Sequence, residues 1–319
     1  MQKMSTLNKV RRASFSRPPT TMLRQRGTGR VPLRRIYMTI LKAPASGGRG
    51  VAIAVAPNGG RLLKTDHPGL PVAPAELAEC AAECLAAGAS LIHIHVRDES
   101  GRHCLDVERY RAATAAIRAS VSEKLIIQVT TEALGLFTPS QQIALVRTLR
   151  PEACSMALRE IVPDASHEPA FAQLLEWMRR ERILPQIILY DRVDLERLEE
   201  MLRRGVVPAQ DIPVLFVLGR YTKDQHSTPA DLQEFLNPSH AFSHWSMCAF
   251  GPDASACAVS AALLGGNIRV GFENSLLLPD GRLAANNAAL ILPVRESLEL
   301  LGRQIETADM QRAAMEKIW

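Results

Sequence analysis

The segment "SLIHIHVRDESG", Ser90 to Gly101, sets two imidazoles two residues apart and follows them at once with Arg97, Asp98 and Glu99. In an extended strand alternate side chains share a face, so Leu91, His93 and His95 point one way and Ile92, Ile94 and Val96 the other. Neutral imidazoles are common metal ligands, and a catalytic zinc usually takes three protein ligands and keeps one position open. A carboxylate to complete such a set occurs in "NIRVGFENS", where Arg269, Gly271 and Glu273 share one parity and Val270 and Phe272 the other. An inward-facing Glu and Arg are costly to bury without partners. A metal ion on Glu273 and an anionic substrate at Arg269 would remove that cost. Each feature also has a plainer reading: an H-x-H pair is structural at even odds or better, Glu273 could pair with Arg269, Arg97 or Arg159, and Asn58-Gly59-Gly60 could be a simple turn. It is their combination that favours chemistry.

Those residues can meet only if the elements carrying them are neighbours. Short apolar runs recur at "VAIAV" (51–55), "LIHIHV" (91–96), "LIIQVT" (125–130), "ACSMAL" (153–158), "PQIILY" (185–190), "PVLFVLG" (213–219), "HWSMCAF" (244–250) and "NIRVGFE" (267–273). Each is followed by a helical pattern, the first being "PAELAECAAECLAAG" (74–88) with Gly88 as its stop. Strands of this length alternating with helices imply parallel pairing through right-handed crossovers. Eight such units over about 250 residues suit a closed α/β (β/α)₈ TIM barrel. An open doubly wound sheet would want a G-x-G-x-x-G after the first strand, where this chain reads "APNGGRLLKTDHPGLP". In such a barrel the chemistry sits at the C-terminal strand ends. Strands 2 and 8 are then separated only by strand 1, so His93, His95 and Glu273 converge, with Gln128 and Thr130 on strand 3 and Ser155 on strand 4 at the same level.

The 319 residues are 47% hydrophobic, with no apolar run near the ~18 residues of a membrane helix. The net charge of +5 is unevenly spread: the first 65 residues hold 14 Lys and Arg and no acid, leaving 24 basic against 33 acidic residues in the rest. The basicity therefore points to no nucleic-acid or membrane partner for the body of the chain. Residues 1–47, rich in Ser, Thr, Arg and Pro, are expected to be a disordered basic extension, either a presequence or the product of a start assigned upstream of Met22 or Met38. Residues 48–319 are expected to form a single catalytic barrel domain. Six scattered cysteines without a C-x-x-C pair suit a reduced, cytoplasmic compartment.

The run "NGGRLLKTDHPGLPVAPAELA", then "GASLIHIHVRDESGR", "LIIQVTTEA" and "GGNIRVGFENSLLLPDG", resembles the β-keto acid cleavage enzymes from about Val51 to the C-terminus. The resemblance implies a zinc-dependent TIM barrel that works as a homo-oligomer, such as a tetramer. It transfers an acyl group between a β-keto acid and acetyl-CoA, giving acetoacetate and a new acyl-CoA. It also implies that His93, His95 and Glu273 are the Zn2+ ligands, that Arg269 assists the base and holds negative charge, and that Thr130 or Thr131 contacts substrate. Asn58, Arg61 and Ser155 are the further expected substrate contacts. Two departures matter. A characterised member carries, after the zinc-binding glutamate, an Asp that serves as general base; here that residue is Asn274, and an amide accepts no proton at neutral pH. Glu132 is the substitute base we expect, ahead of Asp191. Arg61 replaces a glutamate that meets a substrate ammonium, so an amine-bearing tail should be disfavoured.

That chemistry needs no protein nucleophile, and the chain has no G-x-S-x-G. Metal Lewis acidity lowers the cost of taking a proton between keto and carboxylate groups, and Arg269 and Thr130 can stabilise oxyanions. A metal-dependent aldolase or lyase acting without CoA is the main alternative. An amidohydrolase would place H-x-H after strand 1. His226 is read as a surface residue, and Arg220 and Lys223 as candidates for CoA phosphates.

Overall fold

The computed structural model describes residues 50–236 and 242–319, so the extension read over residues 1–47 lies outside the described residues. Eight parallel strands close into a barrel: β1 (Ile53–Val55), β2 (Leu91–Ile94), β3 (Ile126–Thr130), β4 (Ala153–Ala157), β5 (Leu184–Leu189), β6 (Val214–Leu218), β7 (Trp245–Ala249) and β8 (Asn267–Val270). β1 closes it, pairing with β2 through Ala54 and Leu91 and with β8 through Ala54 and Arg269. The chain is thus a TIM barrel, and strands 2 and 8 flank strand 1.

Local chemistry starts and stops the outer helices. Pro74–Ala87 begins with Pro at its first position and Glu76 accepting from the Val72 and Ala73 amides, and it ends on Gly88 at φ +112°. Pro139–Leu149 starts from a capping box between Thr138 and Gln141. Asp106, Asp191 and Asn286 cap three more helices.

Outward strand residues such as Ile92, Ile94, Val129, Met156 and Leu189 join the helices in one large apolar core. Inside the barrel the layers differ. Ile126, Ala153 and Leu184 form an apolar base together with Ala308 and Met315 of the C-terminal helix Ala308–Met315. Leu215, Val217, Cys248 and Phe250 form an apolar wall higher up. Between them lie buried His93, Gln128, Ser246 and Arg269. A polar layer in a lumen normally filled by branched aliphatics is a sign of function.

Two strand readings change at their ends. β2 stops at Ile94, because Val96–Arg97 leaves to pair with His103–Cys104 in a separate antiparallel ribbon. β8 stops at Val270, because Gly271 adopts φ +136° and a Cβ there would stand 2.4 Å from the Ala56 carbonyl oxygen. Glu273 therefore reaches the mouth by a tight turn, with its amide on the Ala56 carbonyl and the Asn274 amide returning to Gly271. It does not get there by strand alternation.

Candidate active site

His93 is the third residue of β2, and His95 stands just beyond it. The amide of Asn58 holds His95 in place from both sides: its Oδ1 accepts from the His95 backbone N–H (3.2 Å), and its Nδ2 donates to the His95 and Pro71 carbonyls (3.0 Å each). Arg97 ties down the same loop by donating to the Asn58, Gly59, Leu62 and Gly101 carbonyls. Gly59, at φ +58°, lies against the third member, since a Cβ there would come within 2.6 Å of Glu273 Cγ. Only glycine lets this loop pass so close to that carboxylate.

The three donor atoms form a nearly equilateral triangle. His93 Nε2 and His95 Nε2 are 3.1 Å apart, and Glu273 Oε2 is 3.5 Å from the first and 3.4 Å from the second. Tetrahedral zinc with bonds of about 2.0–2.1 Å would separate its donors by roughly 3.3 Å. Glu273 Oε2 is buried without a hydrogen-bond partner, as an oxygen meant for an ion would be. Among the described residues, these three are the one group of three or more such side chains able to hold a metal ion. The residues fit the metal that the histidine spacing suggests.

Electrostatics keep the ligands in their binding forms. Burial lowers both imidazole pKa values, only partly offset by Glu273, to about 4 for His93 and about 3 for His95. Both rings are neutral at pH 7 and can offer a lone pair. Burial pushes the Glu273 carboxyl up, but Arg269 and the two histidines outweigh it and hold it well below the usual carboxylate range. Arg269 donates to Glu273 Oε1 (3.1 Å) and Cys248 Sγ (3.2 Å), while its Nε and Nη1 are buried without partners. A guanidinium left with unmet donors in a dry site favours an anionic ligand.

Around this centre a small chamber is lined by Thr130, Glu132, Tyr190 and Arg220, and it shares Glu132, Arg220 and Glu273 with an outer cavity of about 410 Å³. Glu132 Oε2 is 3.6 Å from His95 Nδ1 and its Oε1 is 3.6 Å from Arg220, too far for hydrogen bonds. Burial and the Glu273 charge raise its pKa to about 7 against the pull of Arg220. Thr130 Oγ1 accepts from the Glu132 amide at 3.0 Å and so orients it. Asn274 lines the outer cavity with both ends of its buried amide unpartnered. Arg61 lines the same cavity and is exposed to solvent.

Other candidates lie elsewhere. Ser155 is fully buried, its hydroxyl without a partner and outside both chambers. Asp191 caps a helix and pairs with Arg159. His226 and Lys223 are exposed.

The sequence profile of the beta-keto acid cleavage enzymes matches residues 50–316. The chain belongs to that family. It is 27% identical over 265 residues to the 3-keto-5-aminohexanoate cleavage enzyme of Fusobacterium nucleatum subsp. nucleatum, covering 82% of this chain and 95% of the relative. It is 26% identical over 274 residues to the 3-oxoadipate:acetyl-CoA acetyltransferase of Cupriavidus necator, covering 82% and 93%. Among solved structures, the binary complex of ObcA with oxaloacetate superposes with a TM-score of 0.64 at 18% identity, covering 78% of this chain and 67% of that one, a likeness of fold.

Three residues of this family member escape a reading of the sequence alone. Tyr190 follows β5 as one more aromatic at the end of an apolar run, yet its ring lines the inner chamber beside Arg159, 4.9 Å from the guanidinium carbon. Arg220 has the sequence position of an outer phosphate contact, but its side chain is only 11% exposed and lies over Phe250 on the chamber wall. His103 packs against the His95 ring, centroids 5.1 Å apart, and bonds the Glu132 carbonyl at 2.8 Å. Only the H-x-x-x-x-x-x-x-H spacing after His95 could flag it, and that spacing is not distinctive.

Proposed function

We propose that the chain is a zinc-dependent acyltransferase that cleaves a β-keto acid with acetyl-CoA, releasing acetoacetate and a new acyl-CoA. The observation that carries this reading is the donor triangle of His93, His95 and Glu273 at a barrel mouth whose remaining polar groups suit an anionic keto acid. Zinc held there would supply Lewis acidity to the substrate's keto oxygen.

The chain's own residues do the rest. Arg269, with two nitrogens unpaired, binds the substrate's negative charge. Glu132 takes the proton from the carbon between the keto and carboxylate groups, a role for which a pKa near 7 is well matched. That carbon attacks the thioester carbonyl of acetyl-CoA and CoA thiolate leaves. The thiolate then attacks the original keto carbon, the bond from that carbon to the former methylene breaks, and the methylene carbon regains a proton from Glu132. Asn274 serves as a hydrogen-bond donor to substrate oxygen in place of a base. Thr130 holds Glu132 in position through its amide.

Substrate preference follows from charge. Arg61 and Arg220 face the route from the outer cavity to the centre, so the tail is neutral or carries a carboxylate, as in a 3-oxo-dicarboxylic acid. Relatives of similar identity are named for an amine-bearing and for a dicarboxylic keto acid, so the choice rests on the charge of Arg61 and Arg220. Arg220, being on the inner wall, meets the substrate before any CoA phosphate. Six unpaired cysteines support a reduced, cytoplasmic setting, and family membership supports a homo-oligomer. Among the described residues no helix is long and apolar enough to cross a membrane.

A panel of β-keto acids, assayed with and without acetyl-CoA on zinc-loaded and chelator-treated protein, tests the proposal. Turnover should require both zinc and acetyl-CoA. Cleavage that proceeds equally without CoA would identify an aldolase or lyase instead.

A further inference from the structure

No step of the proposed reaction uses Tyr190, yet the chain fixes this residue from several sides. Its backbone N–H, just past β5, donates to Asp194 Oδ2 at 3.0 Å. The same carboxylate oxygen accepts from Arg159 Nε at 2.9 Å, and Asp191 accepts from Nη2 of that guanidinium. Arg159 then lies over two rings, 4.9 Å from the centroid of Tyr190 and 5.5 Å from that of Tyr221. Tyr221 meets Tyr190 edge to face, with centroids 4.9 Å apart. Asp194 is 4% exposed, so one buried carboxylate places both the backbone of Tyr190 and the cation against its ring. Cation–ring and ring–ring contacts of this kind favour a single ring orientation.

The far end of the ring is left open. Among the described residues the Tyr190 hydroxyl makes no hydrogen bond, whereas the hydroxyl of buried Tyr110 donates to the Thr130 carbonyl at 3.1 Å. Buried phenols normally find such a partner. Burial and then the Glu132 charge push the Tyr190 phenol well above its usual range against the pull of Arg220, and Arg269 feels the same oxygen. The hydroxyl therefore stands among the charged groups of the inner chamber and keeps its proton at pH 7, a donor with no acceptor. Its place in the barrel indicates what the acceptor would be. In the closed strand order β5 lies opposite β1, while His93 and Arg269 belong to β2 and β8 on either side of β1. Beside Tyr190 and Arg220, the chamber wall on this side consists of apolar Ala157, Ile188, Val217 and Phe250. A keto acid whose carboxylate is held at Arg269 extends its other end across the lumen toward them.

We propose that Tyr190 is a specificity-determining residue: its hydroxyl donates, beside Arg220, to an oxygen on the tail of the keto acid, and Arg159, Asp194 and Tyr221 are the positioning residues that aim it. The inference rests on the function proposed above and names the group that recognises the far end of the substrate. A tail ending in a carboxylate satisfies the hydroxyl. An aliphatic tail of the same length leaves it unpaired in a dry chamber, and a site built to hydrogen-bond its substrate rejects such an analogue strongly.

The test is steady-state kinetics of the full, zinc-loaded chain with acetyl-CoA, comparing 3-oxoadipate with 3-oxohexanoate, which carries a methyl group in place of the distal carboxylate. The native chain should favour 3-oxoadipate in kcat/KM. Tyr190→Phe keeps every ring contact and removes only the hydroxyl. It should lower kcat/KM for 3-oxoadipate by about 10- to 100-fold and leave 3-oxohexanoate at its native value or above. A residue that merely fills space would move both substrates alike. Tyr221→Ala, at a position 60% exposed, should reduce the native preference by about 2- to 10-fold, and Tyr221→Phe, which keeps the ring, should restore it. That pair carries the test if Tyr190→Phe fails to fold. An unchanged preference in Tyr190→Phe, or in Tyr221→Ala where that variant stands in, overturns the assignment. Equal loss on both substrates, or a native preference for 3-oxohexanoate, does the same. A response in Tyr190→Phe with none in Tyr221→Ala removes the part of Tyr221 alone. A native chain inactive with acetyl-CoA on every β-keto acid overturns the function reading itself.

Discussion

Replacing Gly59 with alanine should damage the metal centre without touching a ligand. The added Cβ would stand 2.6 Å from Glu273 Cγ, 3.1 Å from its Cβ and 3.4 Å from its Cα. Ordinary carbon contacts are about 3.5–4.0 Å, so the Glu273 side chain must yield by roughly 1 Å. Metal–ligand distances tolerate only about ±0.2 Å, and Glu273 Oε2 would leave its place in the triangle. The residue also sits at φ +58°, where a side chain costs about 1–2 kcal/mol. Gly205 provides the control: it has φ +73°, and a Cβ added to it would meet nothing within 4 Å, so Gly205→Ala carries the backbone cost alone. Chemical unfolding of the metal-free variants should show a loss of about 1–2 kcal/mol in Gly205→Ala and a larger one in Gly59→Ala, where the contact with Glu273 adds about 1–3 kcal/mol of overpacking. Zinc affinity by chelator competition should fall more than about tenfold in Gly59→Ala and stay native in Gly205→Ala. Native-like zinc binding by Gly59→Ala would refute the reasoning.

Other consequences are open to direct measurement. Glu132 must lose its proton to act, so kcat/KM should rise with pH along a limb near 7, lower once a cation occupies the site. Glu132→Gln should lose about 10²–10⁴-fold in rate together with that limb, and a surviving limb would show that another group is the base. Arg61→Glu should move preference from carboxylate-bearing toward amine-bearing tails by more than about tenfold, whereas an unchanged ranking would show that Arg61 never meets substrate. A chain shortened to begin at Met38 should fold and turn over like the full one, and loss of solubility or activity would give the basic segment a role.

The barrel is legible in the sequence because short apolar runs alternate with helical stretches eight times, and each signal is local. His93 and His95 are legible for the same reason, since alternation aims both away from Ile92 and Ile94. Glu273 belongs to the site by a route that strand alternation does not describe: Gly271 ends the strand, and a turn delivers the carboxylate. The glycine itself is the signal, but what it must avoid, the Ala56 carbonyl, is more than 200 residues away in sequence. The double-sided grip of Asn58 on His95 is invisible there because its partners are main-chain atoms 13 and 37 residues distant. Arg220 and Tyr190 follow strands as dozens of residues do, and only barrel closure shows that they face the chamber.

The central claim concerns which bond is made to acetyl-CoA, and isotopic labelling follows that bond. With [acetyl-¹³C₂]-CoA, unlabelled 3-oxoadipate and zinc-loaded protein, ¹³C NMR should show acetoacetate labelled in its methyl and ketone carbons alone, alongside unlabelled succinyl-CoA. Label confined to acetyl-CoA or free acetate, with no labelled acetoacetate from any β-keto acid tested, would contradict the account.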